Sequence, residues 1–161
     1  MVYNMLRYAN YGVVFSEIPD ETTLSINISN CPIHCEGCHS KYLWKDEGEP
    51  LDYGSLSILL EKYGDNITCV CFMGGDSQPE LINALAHMVH NNFPKLKVGW
   101  YSGRDYISPW VYPGNLDYLK LGDYRKNLGG LDNPNTNQKL YKVNGWDWED
   151  ITHKLWKKKK S

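Results

Sequence analysis

The chain has 161 residues, 42% of them hydrophobic and 22% charged, which suits one globular domain with a core of its own and argues against two. Its 17 Lys and Arg against 19 Asp and Glu give a net charge of -2, so no global electrostatic pull toward nucleic acid or an anionic membrane is expected. No apolar run approaches the roughly 18 residues that a membrane span needs, and the opening MVYNMLRYANYG lacks the basic start and apolar stretch of a secretion signal. A cytoplasmic protein with neither nucleic acid nor membrane as partner is expected.

The first clear strand is Thr23 to Ser29, where Leu24, Ile26 and Ile28 alternate with Ser25 and Asn27. It runs directly into a cysteine-rich loop. Asp52 is placed to cap a helix whose Leu56, Leu59, Leu60 and Tyr63 follow helical spacing, with Gly64 as its stop. Ile67 to Met73, ITCVCFM, is apolar at nearly every position, as a strand covered on both faces would be. Gly74-Gly75-Asp76 ends it, and a second helix is predicted from about Ser77, with Pro79 in its first turn and Leu81, Leu85, Met88 and Val89 on one face.

Leu96, Val98 and Trp100 alternate as a third strand closed by Ser102-Gly103, and Tyr118 to Leu121 reads as a fourth closed by Gly122. The segment 123–137 is turn-rich and reads either as a flap over a site or as a long connection. A brief strand at Leu140 to Val143 and a Trp-rich helical stretch from about Trp148 complete the pattern, and Lys157 to Lys160 form a solvated basic tail. Strands alternating with helices imply an α/β fold with a mostly parallel sheet, open or as a partial barrel, and function at the C-terminal ends of its strands.

The five cysteines are an odd number, and three of them fall within eight positions, which favours metal or redox chemistry over a disulfide framework. Cys31, Cys35 and Cys38 are spaced C-x3-C-x2-C, so one short loop can wrap a single metal centre. Zinc would want a fourth ligand, which His34 or His39 could supply, whereas a 4Fe-4S cluster held by three cysteines keeps one iron open. Cys69 and Cys71 lie two apart in a predicted strand and read as core, with Cys71 as an alternative fourth cluster ligand. His87, His90 and His153 read as helix or surface residues. A glycine pair at a strand end lets backbone groups approach a small ligand, and Asp76 adds an acceptor for a cationic amine. Tyr42, Trp44, Trp100, Tyr101, Trp110 and Tyr112 gather near the same rim, where exposed aromatics would mark a docking face.

The stretches ISNCPIHCEGCHSKYLW, CFMGGDSQPE, VGWYSG, YLKLGDYR and NTNQKLYKV resemble, in order and over nearly the whole length, the radical S-adenosylmethionine superfamily. The resemblance is greatest to the small activating proteins of anaerobic (class III) ribonucleoside-triphosphate reductase. It implies a radical partial-barrel domain over residues 1–156, with 157–161 as the tail. It also implies that Cys31, Cys35 and Cys38 ligate a 4Fe-4S cluster whose open iron is chelated by S-adenosylmethionine. Gly74, Gly75 and Asp76 would hold the methionyl amine, and Ser102 would be a further cofactor contact. The implied reaction is reductive cleavage of S-adenosylmethionine to a 5'-deoxyadenosyl radical, which removes a hydrogen from a glycine Cα of the partner reductase, with a donor such as flavodoxin supplying the electron. The chain departs from the family's pattern at His39 and Ser40, usually an aromatic residue and Asn, and at Leu121, often Asp. Two other readings keep different chemistry: an activase of another glycyl radical enzyme, and a non-catalytic zinc or iron-sulfur binding module.

Overall fold

The computed structural model describes residues 5–33 and 41–156. Among these residues, eight strands are joined in one sheet: β1 (Leu6–Val14), β2 (Thr23–Ile28), β3 (Glu49–Leu51), β4 (Cys69–Met73), β5 (Lys97–Tyr101), β6 (Tyr118–Leu121), β7 (Lys139–Asn144) and β8 (Asp147–Asp150). Two helices, α1 (Tyr53–Tyr63) and α2 (Pro79–Asn92), connect the central strands. The spatial order is β3-β1-β2-β4-β5-β6-β7-β8. The run β2-β4-β5-β6 is parallel, while the β3-β1, β1-β2, β6-β7 and β7-β8 pairings are antiparallel.

The expectation of a mostly parallel sheet is therefore corrected: the helix-connected units form only its centre. Hairpin-like flanks, which need no crossover helix, extend it on both sides. No helix among the described residues is long and apolar enough to cross a membrane.

Both faces of the parallel centre are covered, which explains the uninterrupted apolar run in β4. Val70 and Phe72 join Ile26, Trp100 and the buried faces of both helices in the larger core. Cys69 and Cys71 point the opposite way, into a second cluster with Ile18, Tyr118, Leu140 and Ile151. Asp52 caps α1 through a reciprocal box: the Ser55 amide donates to its carboxylate at 2.9 Å and its own amide donates to Ser55 Oγ at 3.0 Å. Gly64, at φ 52°, ends that helix.

The structure adds β1 and β3, which the sequence pattern did not reveal, and it replaces the predicted helical stretch at Trp148 by β8. Asn144 closes β7, Gly145 adopts φ 63°, and β8 returns antiparallel, leaving only a short 3-10 turn at Thr152–Leu155. Segment 123–137 carries its own bonds, among them Gly129 N to Arg125 O at 2.8 Å and Thr136 Oγ1 to Gly129 O at 3.1 Å.

Candidate metal and cofactor site

The cysteine loop leaves the C-terminal end of β2. Asn30 takes a left-handed conformation at φ 61°, which asparagine tolerates better than most residues, and this turns the chain away from the sheet. Two backbone bonds close the base of the loop: Asn30 N to Lys45 O and Cys31 N to Leu43 O, both 2.9 Å. Cys31 is half-buried with a free thiol. Cys35 and Cys38, with His34, His39 and Ser40, lie outside the described residues, as does the side chain of Tyr42.

The glycine turn stands beside this loop at the end of β4. Gly74 and Gly75 have φ of 111° and 90°, a region that L side chains rarely adopt. A Cβ on Gly75 would also fall 2.6 Å from Ile82 Cδ1, and one on Gly74 would fall 3.1 Å from Ile28 O. At the end of β5, a Cβ on Gly103 would meet Ile33 Cγ1 at 2.7 Å. The bare glycine there lets the cysteine loop sit directly against the strand end.

These loops share one cleft of about 190 Å³, whose walls include Cys31, Ile33, Gly74, Asp76, Gly103 and Lys120. A neighbouring lobe of about 630 Å³ shares Met73, Tyr101, Lys120 and Gln138 with it and ends at Leu131 and Leu155. The turn of 74–76 and the first thiol of the motif thus border the same space. Cys71 does not: it is fully buried, with its Sγ 3.6 Å from Met73 Sδ. Burial pushes the thiols of both Cys69 and Cys71 well above the ordinary range.

Asp76 and Ser102 bond to each other rather than standing free. Ser102 Oγ donates to Asp76 Oδ1 at 2.5 Å, and Gly103 N donates to Asp76 Oδ2 at 2.9 Å. Ser102 Oγ in turn accepts from Arg104 N at 3.1 Å. Both side chains are buried, with Asp76 6% and Ser102 0% exposed. Their geometry laces the end of β4 to the end of β5.

Lys120 is a charged residue of this cleft that the sequence pattern did not single out. It is 8% exposed, and its ammonium donates to Ser102 O at 2.8 Å and Gly122 O at 3.1 Å. It also lies 5.6 Å from the Tyr101 ring centre, within cation-π range. The Tyr101 hydroxyl donates to Glu17 O. Burial first, then the nearby Cys71 and Glu17, hold that phenol well above its ordinary range, so it stays a neutral donor. The cleft therefore offers a thiol, a bare glycine wall and a buried cation.

Of the aromatics expected at the rim, Trp100 and Tyr101 are buried, Trp44 is half-buried, and Trp110 and Tyr112 are exposed. His90 pairs with Asp117 at 2.9 Å, on the helix side of the sheet.

Residues 22–109, more than half of the chain, match the family model of the 4Fe-4S single cluster domain. The chain belongs to the 4Fe-4S single cluster domain family. Comparison with curated proteins and with solved structures gives no match. The matched stretch of this 4Fe-4S domain runs from β2 through the cysteine loop and the glycine turn to the segment beyond β5, and so includes Cys31, Cys35, Cys38, Gly74, Gly75, Asp76 and Ser102. The residues present fit such a group: the described thiol of the motif borders the cleft, and thiolates are the donors that iron-sulfur clusters take.

Proposed function

We propose that this 4Fe-4S protein is a radical S-adenosylmethionine activating enzyme that installs a glycyl radical on anaerobic ribonucleoside-triphosphate reductase. The observation that carries the reading is that Cys31, the glycine turn and Lys120 border one cleft at the C-terminal ends of the parallel strands. The parallel centre, with both helices on one face, supports a partial barrel open toward that cleft.

Cys31, Cys35 and Cys38 would hold a 4Fe-4S cluster with one iron left for a ligand. When bound and reduced, that cluster supplies the electron that splits S-adenosylmethionine into methionine and a 5'-deoxyadenosyl radical, the species that takes a glycine Cα hydrogen. The chain's own residues bind and position. Gly74 and Gly75 let backbone approach a small polar ligand without a side chain in the way. The Lys120 ammonium provides a counter-charge for a methionyl carboxylate. Asp76 and Ser102 hold the two strand ends together, so in this reading they shape the cofactor wall through the bond they make with each other. The wider lobe, floored by Met73 and Tyr101, gives a protein segment a way in beside the cofactor.

The test is anaerobic incubation of the cluster-loaded protein with S-adenosylmethionine, reduced flavodoxin and the reductase, followed by electron paramagnetic resonance. A glycyl radical on the reductase is the expected result. Cofactor cleavage without that signal would move the target to another glycyl radical enzyme, and no cleavage under any reductant would leave a binding module.

A further inference from the structure

Four acceptors of the glycine turn are met by donors of the chain itself. Gly75 O accepts from Gln78 N at 3.0 Å, a local turn bond. The two Asp76 oxygens take Ser102 Oγ and Gly103 N. The fourth bond is different in kind: the indole Nε1 of Trp100 donates to Gly74 O at 2.7 Å. Trp100 is 1% exposed and belongs to the helix-side core, whereas Gly74 lines the cleft. One buried side chain thus reaches from behind the sheet to the wall of the site.

Gly74 and Gly75 are consecutive and both at positive φ, so the peptide plane between them has no Cβ to resist rotation. Rotation would exchange the directions of the Gly74 carbonyl and the Gly75 N–H, and with them the polar groups available beside the cleft. With Trp100 in place, rotation would strand a buried indole N–H without its acceptor, a costly state for a tryptophan in a core. We propose that Trp100 is a positioning residue that locks this peptide plane and so sets the wall presented to the S-adenosyl cofactor. The proposal rests on the cofactor reading above.

The test uses cluster-loaded Trp100→Phe, which keeps an apolar ring and loses the donor. Val98→Ala serves as the packing control, because Val98 is buried in the same core on the same strand but does not bond to the turn. Three readouts are compared: iron content, urea midpoint, and the dissociation constants of S-adenosylmethionine and S-adenosylhomocysteine by equilibrium dialysis. Trp100→Phe should bind both nucleosides about tenfold more weakly at unchanged iron content, the effect of one hydrogen bond. Val98→Ala should lower the urea midpoint and bind them as the wild type does.

Affinity of Trp100→Phe within about twofold of wild type would overturn the proposal, as would an equal loss in Val98→Ala. Should the Phe variant not fold, Trp100→3-benzothienylalanine, which replaces the N–H by sulfur at nearly the same volume, must show the same loss. Failure of the wild type itself to bind either nucleoside would overturn the functional reading and the proposal with it, and is distinguishable because the defect then needs no substitution.

Discussion

Asp76 is where the ligand role expected from sequence and the lacing role seen in the structure give opposite results. Its carboxylate is 6% exposed and accepts from Ser102 Oγ and Gly103 N. Asp76→Ala deletes both acceptors at once and leaves a buried hydroxyl and a half-buried amide without them. Hydrogen bonds to a charged partner are worth about 1.5–3 kcal/mol each, so the pair amounts to roughly 3–6 kcal/mol. Relief from keeping a carboxylate buried offsets part of this, and a net loss of about 2–4 kcal/mol is expected. That is a large share of the roughly 5–15 kcal/mol that holds a domain folded.

Ser102→Ala removes one of the two bonds, together with the acceptor of Arg104 N, and should lose about 1–2 kcal/mol alone but clearly less in the Asp76→Ala background, where only the Arg104 bond is left to lose. Anaerobic urea unfolding of the four proteins, followed by circular dichroism, measures the cycle. An Asp76→Ala loss below about 0.5 kcal/mol, additive with Ser102→Ala, would refute the lacing and return Asp76 to the role of a free ligand.

Burial should protect Cys69 and Cys71. Because it pushes both thiols well above the ordinary range, iodoacetamide at pH 8.5 should leave them unmodified in the native protein and modify both in urea, as read by peptide mass spectrometry; modification at comparable rates in both states would contradict their place in the core. Lys97 is bonded to the buried Glu21 at 3.0 Å, and that hydrogen bond first, opposed by burial and helped by the Glu21 and Asp117 charges, raises its pKa. A raised pKa means that the contribution is complete below the unfolded value near 10.4 and is lost as pH climbs through the folded value. The thermal stability gap between wild type and Lys97→Met should therefore be full at pH 8 and shrink by pH 11, and a gap that grew with pH would reverse the assignment.

Elements with local signals were legible. Asp52, Ser55 and Gly64 bracket α1 within the chain's own neighbourhood, and the alternation of Leu24, Ile26 and Ile28 marks β2. β1 was not legible because its pairing with β2 shifts register between Tyr8 and Asn10, which breaks the alternation that would have announced it. The β7-β8 hairpin did carry a signal, the Asn144-Gly145 pair, but Trp146 and Trp148, which both follow it, give that stretch the look of a helix.

In the site, the C-x3-C-x2-C spacing and the glycine pair could be read locally. The Asp76-Ser102 bond could not, since it spans 26 positions and exists only because β4 and β5 are parallel with Met73 beside Tyr101. Lys120 was hidden for a related reason. In YLKL it looks like a polar interruption, and only the closing of β6 against β5 turns it into the buried cation of the cleft.

In the proposed function, Cys31, Cys35 and Cys38 hold a cluster that cleaves S-adenosylmethionine. This is tested most directly by anaerobic reconstitution with iron and sulfide, dithionite reduction and chromatographic measurement of 5'-deoxyadenosine, with Cys35→Ala alongside. Formation of 5'-deoxyadenosine by the wild type, with neither cluster absorbance nor product in Cys35→Ala, is the expected result. A stable wild-type cluster that leaves S-adenosylmethionine intact with and without the reductase would rule out the radical chemistry, and a Cys35→Ala protein that keeps both cluster and cleavage would rule out the ligand set.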